Sequence, residues 1–134
     1  MKNLLSALLC LVCAIVLAQT SKTNTTPSPK EKLIAQHWKL FGTEEFGVIK
    51  KAGAKEANDG AAFESDHKAN ITLAGTSKTG NWSMDKYGSF LTVAIDSSNE
   101  NKSYKISKLV NDTLVLEYKD SALVKTKYHF LRQP

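Results

Sequence analysis

Very little in this chain could form a covalent or metal-centred site. Its 134 residues include two cysteines, Cys10 and Cys13, and both lie in the first apolar run. Beyond residue 18 there is no cysteine. That excludes a disulfide framework, a thiolate metal site and a catalytic thiol from that part of the chain, whose stability must come from its core. Histidine is also sparse: His37, His67 and His129 are the complete set, and no HxH or HExxH spacing links them. Ser65-Asp66-His67 holds triad residue types in immediate succession. Catalytic triads converge from separated positions, and no nucleophile elbow surrounds Ser65. Glu44 and Glu45 form an acidic doublet, but adjacent strand residues point to opposite faces and do not frame a glycosidic bond. The sequence therefore predicts no enzyme, no metal and no cofactor.

Long hydrophobic runs are missing too. The one apolar stretch, residues 4–17, is shorter than the roughly 20 residues that span a bilayer. Polar sequence follows it, without a basic stop-transfer cluster. Lys2 before this run and Val16-Leu17-Ala18 after it read as a signal peptide over 1–18, cleaved before Gln19. Leu9 and Val12 sit where a lipidated cysteine would need a small residue, so the pattern is not a clear lipoprotein signal. The expectation is an exported protein, periplasmic or secreted, with no transmembrane segment after cleavage.

Formal charge is +5, or +4 once Lys2 is removed. The lysines are dispersed along the chain (Lys78, Lys86, Lys102, Lys105, Lys108, Lys125 and Lys127). Such spacing suits solvated faces and sheet edges. Aromatic residues are not interleaved with the basic ones, so nucleic acid is not an expected partner. The net positive charge implies weak attraction to acidic surfaces or ligands.

What the chain does contain is alternation. Residues 19–29 are polar, end in Pro27 and Pro29, and read as a flexible leader. Residues 30–36, with Leu33 and Ile34 on one side, suggest a short helix that needs a surface to dock on. Residues 37–49, with Trp38, Leu40, Phe46 and Val48, read as a first strand broken near Gly42. Residues 50–60 mix helical alanines and lysines with Gly53 and Gly60, and read as a mobile flap. From there apolar residues recur at every second position, in runs over 61–66, 69–74, 81–85, 90–95, 102–108, 114–118 and 124–130. Residues 75–80 contain a turn. Period two with short polar turns is the pattern of antiparallel strands with one dry face. About eight strands joined by short turns form an up-and-down meander. The predicted class is all-β: an eight-stranded antiparallel up-and-down β-barrel with a short N-terminal helix. Closure would remove the exposed edges. The competing arrangement is an open β-sandwich.

Three segments, Leu33-Ile34-Ala35-Gln36-His37-Trp38-Lys39-Leu40, Gly80-Asn81-Trp82-Ser83-Met84-Asp85 and Tyr104-Lys105-Ile106-Ser107-Lys108-Leu109, recur in a familiar order. Asn111-Asp112-Thr113-Leu114-Val115-Leu116 and the final Tyr128-His129-Phe130-Leu131-Arg132 complete it. Together they resemble the bacterial lipocalin-like domain family over about residues 31–132, which implies a lipocalin-like barrel domain over 30–134. In lipocalins a Gly-x-Trp opens the first strand, and a late arginine packs over that tryptophan. The resemblance places Trp38 and Arg132 in those roles, as the contact that closes the barrel. Gln36 stands where the family has glycine.

The inward face of the alternation supplies the candidate barrel lining. It comprises Phe63, Ile71, Leu73, Trp82, Met84 and Leu91 on the earlier strands. Val93, Tyr104, Ile106, Leu116, Tyr118 and Tyr128 continue it on the later ones. Periodicity does not distinguish a filled barrel from a hollow one. A hollow one would bind a small hydrophobic or amphipathic molecule, oriented by the three tyrosines. A filled one would be a structural or protein-interaction module of the cell envelope, with Phe90 on the outer face.

Overall fold

The computed structural model describes residues 26–134; the expected signal segment 1–18 and residues 19–25 of the leader lie outside them. The first element is helix α1 (Pro29–Ile34). A capping box opens it, with the Ser28 hydroxyl accepting from Glu31 N and the Glu31 carboxylate from Ser28 N. Pro29 suits the first helical position, where its missing N–H costs nothing. Six residues are too few for an independent helix, so docking must hold α1 in place. Ile34 is fully buried, and Lys30 Nζ donates to the carbonyl of Tyr87 at 3.0 Å.

Nine strands follow among the described residues. They are β1 (His37–Glu45), β2 (Val48–Lys51), β3 (Gly60–Phe63), β4 (Lys68–Leu73), β5 (Thr76–Met84), β6 (Phe90–Ile95), β7 (Asn101–Leu109), β8 (Thr113–Lys119) and β9 (Lys125–Arg132). One 3-10 turn, Ala54–Glu56, lies between β2 and β3. Neighbours pair antiparallel from β3 through β9, and β9 returns to pair with β1 from Trp38↔Arg132 to Glu45↔Thr126. The sheet is a closed eight-strand barrel, and the open sandwich is excluded.

β2 adds a ninth strand without adding a ninth stave. Along one edge of β1, residues 42–45 pair with β2 and residues 37–39 pair with β3, while β9 occupies the opposite edge. β2 and β3 thus share one place in the wall, interrupted by the 3-10 turn. The expected single strand over 37–49 is instead a hairpin that reverses at Phe46-Gly47. Both residues have positive φ, 51° and 79°, as a two-residue type I′ turn requires. Ala74-Gly75 repeats this, with φ of 50° and 74°. The turn expected over 75–80 is therefore confined to two residues, and β5 begins at Thr76. Apolar residues at these turns hide them from a search for Asn-Gly or Asp-Gly.

The core fills the end of the barrel where β1 starts and β9 finishes. Phe63, Leu91, Val93 and Leu114 have no exposed surface there, and Trp38 and Phe130 almost none. α1 lies across this end, and the Trp38 indole N–H donates to the Ile34 carbonyl at 3.0 Å. The Phe46-Gly47 and Ala74-Gly75 turns are at the opposite, open end, as are the β6–β7 and β8–β9 turns.

A candidate ligand cup at the open end

The shape of the open end follows from one extra residue in β1. Register passes from Leu40↔Phe130 to Gly42↔His129, leaving Phe41 as a bulge. A bulge changes which residues face inward. Below it Trp38 and Leu40 point to the core. Above it Thr43 and Glu45 take the inner face with Tyr128 and Thr126, their cross-strand partners. Thr126 Oγ1 donates to Glu45 Oε1 at 2.9 Å. Glu44 faces outward, with Oε2 2.8 Å from His129 Nε2 and Oε1 3.2 Å from Lys127 Nζ. Those two contacts, His129 first, lower the Glu44 pKa below the usual glutamate value. The acidic doublet is thus divided between the two faces, as strand geometry requires.

Between β1, β2, the 3-10 turn and the end of β4 lies a cup of about 180 Å³. Leu40, Leu73 and Tyr128 form its apolar lining, with Thr43 and Lys50 along one side. Asp59 underlies the opposite side and is 2 % exposed. Its two carboxylate oxygens accept from Ala74 N at 2.6 Å and Gly75 N at 3.1 Å. A buried carboxylate is tolerable when so bonded, and here it ties the β4–β5 turn to the segment before β3.

Three tyrosines face the interior, Tyr104 within the packed core and Tyr118 and Tyr128 packed against it. Tyr104 and Tyr118 have ring centroids 5.6 Å apart, and Lys102 Nζ lies 5.5 Å from the Tyr118 centroid. Burial pushes the Tyr104 phenol far above its ordinary pKa. Burial, aided by the Glu45 charge, raises that of Tyr128. Their hydroxyls therefore stay protonated at neutral pH and able to donate. Among the described residues no buried side-chain polar atom lacks a partner. None of the three hydroxyls bonds to a protein group among the described residues, and of the three only Tyr128 lines the cup.

The predicted lining residues divide by height. Leu73 and Tyr128 line the cup. Phe63, Ile71, Trp82, Leu91, Val93 and Leu116 are buried in the packed core. Tyr104 is buried as well, while Ile106, Tyr118 and Met84 pack against that core while partly exposed. Met84 also borders the hollow beside α1 at the closed end. Trp38 and Arg132 lie opposite each other where β1 meets β9. The period-two pattern does not mark Thr43, Glu45 and Lys50 as lining residues, because their inward aim depends on the bulge. The one hint was Gly42, a residue that often marks a bulge within a strand. His67 packs flat on Trp82 with centroids 4.6 Å apart, and its Nδ1 lies 3.1 Å from the Trp82 carbonyl.

A closed eight-strand antiparallel barrel, plugged at one end by a helix and open at the other, defines a lipocalin-like fold. Among solved structures the chain is similar to a lipocalin-like protein from Bacteroides uniformis. The two share 20% identity with a TM-score of 0.53, covering 75% of this chain and 98% of that one. At that identity the likeness is one of fold. No family model and no curated protein matches the chain.

Proposed function

We propose that this chain is an exported binding protein that holds a small amphipathic molecule at the open end of its barrel, without catalysing a reaction. The observation carrying this reading is the cup itself. Its apolar lining meets water at a rim of polar groups, and the hydroxyl of Tyr128 in that lining has no protein partner among the described residues. Binding sites typically combine an apolar wall with a few convergent polar groups. The lipocalin-like fold supports the reading at the level of architecture, because barrels of eight strands leave room for one small ligand. Protein purified from its own cell envelope should carry a bound small molecule in native mass spectra. A clean apo spectrum, with no response to apolar fluorescent probes, would overturn the reading. Export is tested separately: the mature protein should begin at Gln19 when its N-terminus is sequenced.

A second reading, an envelope interaction module, draws support from the tips of the open end. Phe46 is 88 % exposed and Leu123 68 %. They border a groove of about 550 Å³ on the outer wall between the β1–β2 and β8–β9 hairpins.

A further inference from the structure

The cup's size and rim charges narrow the ligand class. Resting on the binding reading above, we propose that the cup selects a ring-sized organic acid, seating the ring against Leu40, Leu73 and Tyr128 and its carboxylate against Lys50.

Size decides the first half. Drug-sized or lipid-sized ligands occupy sites of about 300–1,000 Å³. A dry cavity of about 150 Å³ accepts a single benzene ring. The cup, at about 180 Å³, belongs to the second scale. It cannot lengthen downward, because Trp38, Phe63, Leu91 and Phe130 fill the barrel below it with almost no exposed surface. A long acyl chain would have to lie outside.

Charge decides the second half. Four charged side chains border the cup, and three are already engaged. Asp59 holds two backbone N–H groups, and Glu56 Oε2 accepts from Gly53 N at 2.8 Å. Lys51 Nζ lies over the Phe41 ring at 5.9 Å. Lys50, across the ladder from Thr43, makes no ion pair or hydrogen bond among the described residues. An anionic head would gain a cation there; Glu45, further up the inner face and bonded by Thr126, does not line the cup. Tyr128, protonated at neutral pH, adds a neutral donor beside it, and charge-assisted bonds of this kind are the strong ones.

Three probes test the proposal on the purified protein by chemical-shift titration: benzoate, benzyl alcohol and palmitate. Benzoate should move the resonances of Leu40, Leu73 and Tyr128. Benzyl alcohol, matched in ring but uncharged, should bind about tenfold more weakly. Lys50→Met should bring benzoate down to the level of benzyl alcohol and leave benzyl alcohol itself unchanged. Because Lys50 is exposed on β2, that variant should melt as the parent does. Palmitate should bind no tighter than benzoate. Tight palmitate binding without benzoate binding would overturn the size argument and leave the binding reading standing. Undiminished benzoate binding by Lys50→Met would overturn the charge argument alone. Failure of all three probes would overturn both this proposal and the binding reading beneath it.

Discussion

Phe46 occupies a position where an aromatic residue is a poor choice. It stands first in a two-residue turn with φ of 51° and is 88 % exposed. Left-handed backbone costs a side chain with a Cβ about 1–2 kcal/mol, and Asn-Gly is the favoured pair for such a turn. Phe46→Asn should therefore stabilise the protein by about 1 kcal/mol, raising its melting temperature by about 4–8 °C. Unchanged ligand uptake by that variant would separate the turn from the cup. Trp38 presents the opposite case. It is 2 % exposed and bonded through its indole to α1, so Trp38→Ala should cost about 3–5 kcal/mol in denaturant unfolding. Asp59→Asn retains one acceptor oxygen for two backbone donors, and should cost about 1–3 kcal/mol in the same measurement.

At the scale of elements, the seam between β1 and β9 decides whether the sheet closes. The upper part of that seam carries the contacts of Glu44 with His129 and Lys127. The Glu44 pKa is lower in the folded protein than in the unfolded chain. Its contribution to stability is therefore present above the unfolded value and is lost as pH falls through the folded one. Glu44→Gln should be less stable than the parent at neutral pH, and the two stability curves should converge in acid. Parallel curves across the acid range would remove Glu44 from the seam's pH response. The strands of this seam were legible in the sequence, because Trp38, Leu40, Tyr128 and Phe130 alternate. The Phe41 bulge was not. Period two carries no mark of one inserted residue, so the inward aim of Thr43 and Glu45 emerges only once β9 fixes the register.

For the whole molecule, burial is graded along the barrel axis, with the packed core at the α1 end and the cup at the other. A ligand that binds only the folded barrel must stabilise it, by about 2.7 kcal/mol at a concentration one hundredfold above its dissociation constant. Benzoate should thus raise the melting temperature of the parent, and that of Lys50→Met, with its tenfold weaker site, by about half as much at the same concentration. The sequence by itself determined the antiparallel meander, its all-β class and the inward set of core residues, because side-chain alternation and short turns are local properties of the chain. It also marked Trp38 and Arg132, which the closed sheet sets across from each other. Only the tertiary structure decided that the barrel is filled for most of its length and open at one end. Cavity volume depends on how side chains from all the staves meet, and the bulge and the shared place of β2 and β3 are matters of pairing between distant segments.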